Sequence, residues 1–224
     1  DKNIGIGYRA ARSNTSGTGN IAIGSDALYY NKTGTANTAI GYEALKSASN
    51  TNVSSNTAIG YQALTASTAN QNTAIGAYSM DAAVTGSYNT AIGQHSLGSN
   101  TSGHSNTAIG NGAGAANTSG DENVAIGMGA MGGVTGSSQL TAIGFNALYS
   151  NTNGVENTAI GYNALYNNTN GTKNTAIGFR ALQSNTTGYE NVAVGTWALG
   201  TNSTGWYNNA FGVSIFSFHF SPLP

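Results

Sequence analysis

The sequence contains no cysteine and very little charge. Without Cys, neither a disulfide framework nor a Cys-ligated metal site is possible. Lys, Arg, Asp and Glu make up 7% of the 224 residues, against about 25% in ordinary soluble domains. The seven basic and eight acidic residues are scattered and leave a formal net charge of −1. That distribution offers no surface for nucleic acid or for an anionic membrane. The polar surface must therefore consist of Asn, Thr, Ser and Gly.

Large apolar side chains are scarce as well. The chain has two Trp and six Phe, too few for a conventional core. No apolar run approaches the roughly 18 residues that a membrane helix requires, so we expect no membrane insertion of this segment. The sequence begins at Asp1 without an apolar signal segment, and we expect a fragment or a processed product.

What the sequence has instead is a tandem repeat built on the motif Asn-Thr-Ala-Ile-Gly. The Gly of this motif recurs thirteen times, at Gly7, Gly24, Gly41, Gly60, Gly76, Gly93, Gly110, Gly127, Gly144, Gly161, Gly178, Gly195 and Gly212. All but two of the intervals have the length of the step from Gly144 to Gly161. The two irregular intervals meet at Gly60, and the longer one contains Ser47 to Ser55, where we predict a surface bulge. A fixed period of this kind indicates stacked supersecondary units.

The choice of residues within the unit predicts its structure. We number the unit from its Asn, so that Asn157 is position 1 and Lys173 is position 17. Position 5 is Gly in all thirteen copies, position 4 is Ile in eleven and position 3 is Ala in twelve. Positions 1 to 4 are predicted to form a short strand, because β-branched residues at positions 2 and 4 suit a pleated surface. The Gly fits a positive φ or a close backbone approach, and Asn-Thr-x-Gly at positions 12 to 15 fits a turn.

Positions 6 to 9, usually Tyr-x-Ala-Leu, are too short for a helix. We interpret them as an irregular corner or a second short strand that places Leu in the interior. The fold class predicted is therefore all-β, a parallel β-solenoid of thirteen 17-residue coils over residues 1–212. Residues 213–224 concentrate aromatic residues and both prolines, and we interpret them as a C-terminal cap or junction segment.

Two arguments indicate that one coil, and then one chain, is incomplete alone. Ordering the backbone of one coil costs roughly 1–2 kcal/mol for each residue, whereas burying one Ile and one Leu returns only about 1.5–3 kcal/mol apiece. Stability must therefore come from contacts between coils. In addition, the strand is uncharged on both faces, and a narrow coil covers only one of them. A symmetric oligomer is the simplest cover for the second face.

Residues one period apart become neighbours in such a stack, so each position of the unit forms a column. Charges of opposite sign alternate in the columns of positions 7 and 17, at Arg9 and Asp26 and along Glu156, Lys173 and Glu190. Aromatic residues share the columns of positions 6 and 10, namely Tyr42, Tyr61, Phe145, Tyr162 and Phe179, and Tyr149 with Tyr166. These ladders are expected to stabilise the stack, with a surface that binds glycans as the functional alternative. The Asn column at position 1 is interpreted as an internal amide ladder.

No catalytic or metal-binding pattern emerges. His95 and His104 lie in different parts of one coil without a third ligand, and His219 is remote. Asp121 and Glu122 are interpreted as solvated turn residues, and no pair of carboxylates is positioned for glycoside hydrolysis. The Gly-rich stretch from Gly127 to Gly133 lacks the Lys-Ser/Thr of a phosphate loop. We expect neither a cofactor nor enzymatic activity.

The repeats resemble two known groups of proteins. Asn-x-Ala-Ile-Gly at this kind of period is similar to the head repeats of trimeric autotransporter adhesins, and the longer unit with Tyr-x-Ala-Leu and Asn-Thr-x-Gly is more similar to repeats of phage tail-fibre proteins. The resemblance covers residues 3–212 and implies a left-handed β-roll and a homotrimer, intertwined or side by side. This unit is longer than the usual adhesin head repeat.

Three functional hypotheses follow from the sequence and the resemblance. The leading one is a structural and adhesive segment of an extracellular fibre, on a virion or a cell surface, that spaces or presents a site for host attachment to a glycan or protein receptor. The second is a glycan-binding module that uses the aromatic columns. The third is an ice-binding solenoid, suggested by the Thr column at position 2. Val124 and Val192 interrupt that column, and one Thr column is not the broad Thr lattice such a surface needs.

Overall fold

The computed structural model describes residues 2–47 and 52–215, which form one all-parallel β-solenoid without helices. The thirteen short strands are β1 Ile4–Ile6, β2 Ile21–Ile23, β3 Thr38–Ile40, β4 Thr57–Ile59, β5 Thr73–Ile75, β6 Thr90–Ile92, β7 Thr107–Ile109, β8 Val124–Ile126, β9 Thr141–Ile143, β10 Thr158–Ile160, β11 Thr175–Ile177, β12 Val192–Val194 and β13 Asn209–Phe211. They pair in chain order in a single sheet. The predicted fold class is confirmed, with a strand at positions 2 to 4 of every coil.

The register is the same from coil to coil. Thr158 pairs with Thr175, Ala159 with Ala176 and Ile160 with Ile177, and the other strands pair in the same way. The longest interval of the repeat separates β3 from β4, yet Thr38 still pairs with Thr57. The irregular interval is therefore absorbed outside the strands. Residues 48–51 of the predicted bulge lie outside the described part of the chain.

The interior is lined by the small residue of the strand rather than by Ile. The Ala at position 3 and the Ala and Leu at positions 8 and 9 are fully buried, as Ala159, Ala164 and Leu165 show. Leu is in the interior as predicted. The sequence left open which face of the strand the coil covers, and the side chains at positions 2 and 4 point to the opposite face and stay partly exposed. The cross-section of the coil is narrow, and Ala, Ala and Leu already fill it.

The segment after each strand is an irregular corner and not a second strand. Backbone φ is positive at positions 7 and 9, for example 51° at Asn163 and 52° at Leu165. The left-handed conformation is uncommon for residues other than Gly, and here backbone bonds to both neighbouring coils hold it in place. Leu165 N donates to Ala181 O at 2.9 Å, and Asn163 N donates to Phe145 O at 3.0 Å. The corner is thus part of the ladder that joins the coils.

The turn at positions 12 to 15 is the predicted Asn-Thr-x-Gly turn. Gly120 N donates to Asn117 Oδ1 at 3.0 Å, and Asn117 Nδ2 donates back to Gly120 O at 3.1 Å. Thr118 at position 13 donates its hydroxyl to Thr135 O of the following coil at 2.7 Å. One element therefore closes the coil and also ties it to its neighbour.

The predicted cap or junction segment lies largely outside the described part of the chain, which ends at Ile215. Val213 and Ile215, its first apolar residues, are exposed. Among the described residues, no helix is long and apolar enough to cross a membrane.

Candidate functional site

The Asn columns belong to the interior and are not a binding surface. Asn106 at position 1 is buried, and its backbone N–H donates to Asn89 Oδ1 at 2.9 Å. Its own Nδ2 donates to Gly120 O at 2.8 Å, so the amide joins neighbouring coils. Leu140 interrupts the column, since its side chain offers no acceptor to the coil that follows. The amides of this column therefore form an internal hydrogen-bonded ladder, as the sequence predicted.

One exposed face is the outer surface of the sheet, which we call the Thr/Ile face. It consists of the side chains at positions 2 and 4 of β1 to β13. Position 2 is Thr in eight coils and position 4 is Ile in eleven, and no coil places a charge in either column. Ile109 and Ile177 are each 37% exposed. Over twelve steps of about 4.8 Å the face is about 58 Å long, which makes it a continuous, flat and uncharged strip.

The aromatic columns predicted from the sequence form, and they lie across the Gly corner from the Thr/Ile face. Tyr42 stacks on Tyr61 with ring centroids 5.3 Å apart, and Tyr149 stacks on Tyr166 at 5.5 Å. Phe145, Tyr162 and Phe179 form a continuous stack with 5.2 Å between successive centroids. The structure thus brings the seven predicted residues together as three separate stacks.

The geometry of these stacks limits what they can bind. Adjacent rings are nearly parallel, with interplanar angles of 9° to 15°. A ring stacked on both sides has its two faces covered, and its edge is what meets solvent. A flat sugar platform needs an open ring face. Among the seven residues only Tyr162 lies between two nearly parallel rings, and each of the others is at an end of its stack.

One stack is longer than the sequence columns indicate. Tyr61 contacts Tyr78 edge to face at 5.2 Å, and Tyr78 stacks on His95 at 5.1 Å and an angle of 4°. Tyr78 and His95 occupy position 7 instead of position 6, so the stack changes column between coils. Sequence reasoning missed this extension, because it compared only residues at the same position of the unit.

Charged residues pair where the columns bring them together. The Arg9 guanidinium donates to both carboxylate oxygens of Asp26, at 2.7 and 2.6 Å, which confirms the pairing predicted at position 7. This bond from Arg9 holds the pKa of Asp26 below its ordinary value. Hydrogen bonds from Lys46 and Gln62 likewise lower the pKa of Glu43.

The alternating charges of position 17 behave differently. Within the described part of the chain, Lys173 has no carboxylate within 4.0 Å. Lys173 and Glu156 are exposed, and long side chains in water gain little from holding one geometry. Glu190 instead raises the pKa of Tyr207 through its negative charge.

The described histidines, His95 and His104, belong to no cluster of metal ligands. Among residues 2–47 and 52–215 no group of three or more His, Asp or Glu is close enough to hold a metal ion. His104 Nδ1 accepts a hydrogen bond from Ser87 N, and the backbone N–H of His104 donates to Asp121 Oδ1 at 2.7 Å. Asp121 is therefore a turn residue that ties two coils together. His219 lies outside the described residues. Burial raises the pKa of Asp81, which stands near His95.

The stack of Phe145, Tyr162 and Phe179 ends beside a guanidinium. Position 6 of the coil after Phe179 is Thr196, so the column of rings stops there. The Arg180 guanidinium carbon lies 5.0 Å from the centroid of the Phe179 ring and 5.2 Å from that of Trp197. Phe179 is 42% exposed. The Phe179 ring therefore has Tyr162 stacked on it and the Arg180 guanidinium over it.

The fold and these surfaces define the chain as a tandem-repeat parallel β-solenoid. Comparison with known proteins adds no closer assignment: no family model, no curated protein and no solved structure matches the chain.

Proposed function

We propose that the chain is a structural and adhesive segment of an extracellular fibre, a phage tail fibre or a surface adhesin, that spaces or presents a site for host attachment. The observation that carries this proposal is the regularity of the stack. Every strand pairs in the same register with the next, and hydrogen bonds between coils recur at the strand, the corner and the turn. Such repetition gives a stiff rod whose length follows from the number of coils. Host range and receptor then depend on what the rod carries.

A homotrimer completes the proposed fibre, with the Thr/Ile face as the contact between chains. The face is about 58 Å long and roughly 10 Å wide, so each chain would bury on the order of 600 Å². Two such faces approach the roughly 1,200 Å² at the low end of stable interfaces. A continuous uncharged strip of this size is comparable to the largest patches of about 300–600 Å² on typical monomers, which are often functional. Identical chains are the occupant that matches a strip without charge over thirteen coils.

Light scattering combined with far-ultraviolet circular dichroism tests the assembly. We expect a sheet-rich particle with three times the 22.6 kDa mass of the chain. A compact monomer would overturn the trimer.

A pair of substitutions locates the interface. Ile126→Lys with Ile143→Glu places opposite charges on adjacent strands of the Thr/Ile face, and we expect monomers that keep their sheet signal. The matched control is Ser102→Lys with Ser119→Glu, which has the same charges and spacing at exposed turn positions and should remain trimeric. If the Ile variant also stays trimeric, the chains meet elsewhere.

Antibody labelling of the intact particle or cell, viewed by electron microscopy, tests the fibre itself. Label along a projecting fibre is the expected result. Label confined to the interior of a cell would contradict both the proposed location and the proposed role.

Glycan binding is the alternative function, favoured by the exposed aromatic stacks. Because the rings cover one another, this function would depend on stack ends and ring edges. A glycan array on wild type and on Tyr42→Ala with Tyr61→Ala tests it. An unchanged signal in that variant would exclude this stack as the binding surface.

Ice binding is a third use of the same Thr/Ile face. The outward-facing Thr column at position 2 supports ice binding. Ile in the column at position 4 and the Val residues that interrupt the Thr column oppose it. A chain that buries this face in a trimer is unable to present it to ice. Thermal hysteresis in the monomeric fraction would favour ice binding, and its absence there would end the idea.

A further inference from the structure

Arg180 differs from the other two arginines of the chain. Arg9 is paired with Asp26, and Arg12 donates to the Tyr29 hydroxyl at 3.0 Å. A guanidinium has five N–H donors. In the described part of the chain, the Nε of Arg180 is buried and has no hydrogen-bond partner.

An unpaired cation of this kind calls for an explanation. Leaving a buried donor unsatisfied costs about 1–3 kcal/mol, and native structures contain few such groups. Asn163, the residue before Arg180 in the same column, has a buried Oδ1 that likewise lacks a partner. Neighbouring coils thus leave a donor and an acceptor unused, in a fold that elsewhere ties its buried amides to neighbouring coils.

The guanidinium is nevertheless held in a fixed place. Phe179 and Trp197 lie near it at 5.0 and 5.2 Å, distances at which a cation is attracted to an aromatic ring. Trp197 occupies the space beside Gly200, where a Cβ would stand 2.4 Å from the indole Cε3. Glycine at that position lets the indole lie against the coil. The aromatic residues orient the cation but leave its Nε without a hydrogen-bond partner.

We propose that Arg180, Phe179 and Trp197 form a subsite for the carboxylate of an acidic saccharide. The planar fork of Arg matches a carboxylate in bidentate geometry, and the exposed edge of the Phe179 ring supplies an apolar contact for a sugar ring. The Nε of Arg180 is buried, so the terminal amino groups are the donors that a ligand would reach.

The subsite is compatible with the proposed trimer. Phe179 and Arg180 follow Gly178, the residue that turns the chain away from β11. The Thr/Ile face lies on the strand side of that corner, so chains packed through that face leave the subsite open. This inference rests on the proposed host-attachment role and deepens it, and it is measured by ligand binding, independently of the number of chains.

Two sugars that differ at one group provide the test. Methyl β-D-glucuronide carries a carboxylate where methyl β-D-glucoside carries a hydroxymethyl group. Binding is followed by ligand-observed saturation-transfer NMR and by Trp fluorescence in a Trp206→Phe background, which leaves Trp197 as the reporter. We expect the glucuronide to bind at least about tenfold more tightly than the glucoside, in line with one charge-assisted bidentate pair.

Substitutions then assign the effect to Arg180. Arg180→Gln should weaken glucuronide binding at least about tenfold, and Arg180→Lys should restore it only partly. Arg12→Gln is the matched control and should bind like wild type. Circular dichroism and light scattering confirm that each variant keeps its fold and assembly.

Three results would overturn the subsite: equal binding of the two sugars, unchanged affinity in Arg180→Gln, or acetate binding as tightly as the glucuronide, which indicates a general anion site. A monomeric chain that still binds the glucuronide would refute the trimer and leave the subsite standing. A trimer that fails to bind the glucuronide would refute the subsite and leave the trimer standing.

Discussion

At the scale of single residues, position 5 shows why one residue type is invariant among the repeats. Gly110 has φ of 132°, and a Cβ built on it would stand 2.7 Å from the carbonyl carbon of Gly127. The same close approach recurs from Gly7 to Gly195. The backbone of each coil thus occupies the space that a side chain would need, and the positive φ adds to the requirement.

Gly110→Ala should therefore be strongly destabilising, by about 3 kcal/mol or more, because both strain and a backbone clash oppose it. Gly112→Ala is the control. A Cβ on Gly112 meets nothing within 4 Å, and its φ of 65° is close to that of non-Gly residues elsewhere in the column. We expect a smaller loss there, of about 1–2 kcal/mol, because only the left-handed φ opposes the substitution. Equal denaturation midpoints for the two variants would contradict the steric account.

Two carboxyl groups should influence stability with opposite signs of pH dependence. Because the bond from Arg9 lowers the pKa of Asp26, the pairing stabilises the fold above about pH 4 and the stabilisation is lost as the pH falls through the lowered pKa. Asp26→Asn should reduce the Tm at pH 7 and have little effect at pH 2.

Burial raises the pKa of Asp81, so the folded state favours its protonated form. The resulting stability is present below about pH 4 and lost as the pH rises through the raised pKa. Asp81→Asn should increase the Tm at pH 7 and leave it unchanged at pH 2. Thermal scans of Asp26→Asn and Asp81→Asn at several pH values measure whether each substitution raises or lowers the Tm. If the Tm of both variants changes with pH in the same direction relative to wild type, the opposite pKa shifts are contradicted.

At the scale of the elements, each short strand divides its side chains between two environments. Ala159 faces a closed interior with Ala164 and Leu165, whereas Thr158 and Ile160 face outward. The corner makes this possible, since the left-handed conformation at Leu165 turns its side chain inward. Interior packing and outer contact are therefore separable by mutation.

Leu165→Ala should cost about 2–5 kcal/mol, because it leaves a cavity in the narrow interior. Ile160→Ala should cost only about 1 kcal/mol in the folded monomer, since that side chain is already partly exposed. Chemical denaturation of both variants in dilute, monomeric samples compares the two losses in the free energy of unfolding. If Ile160→Ala costs more than Leu165→Ala in those samples, the Ala side of the strand is not the interior.

At the scale of the whole molecule, every coil pairs only with its neighbours. Paired strands are consecutive throughout the sheet, so stability is a sum over coils and their interfaces. The column pattern also survives the two irregular intervals on either side of β4, where Thr57 pairs with both Thr38 and Thr73. Length is thus a variable that evolution can change without redesigning the fold.

Removal of residues 123–173, three whole units, should shorten the rod by about 14 Å and preserve its sheet signal, because the columns on either side rejoin in register. Small-angle scattering of the two chains measures the change. Removal of residues 123–168 joins the units out of register and should abolish cooperative folding. If both deletions behave alike, stacking in register is not what holds the rod together.

Sequence periodicity by itself determined the architecture of this protein. A Gly that recurs at a fixed period, with β-branched residues at constant offsets from it, specified the number of coils, the strand positions and the Asn-Thr-x-Gly turn. It also specified the pairing of Arg9 with Asp26, because residues one period apart must become neighbours in a stack. These inferences needed only the period and the chemistry of each column.

Tertiary structure alone decided which side of each strand is inside. Ala and Ile are both apolar, so the pattern is symmetric until the width of the coil excludes Ile from the interior. Likewise, Tyr78 joins a stack from another column, and Arg180 lies beside aromatic rings without an acidic partner. Such contacts depend on side-chain direction and on the path of the corner, which a one-dimensional repeat does not encode.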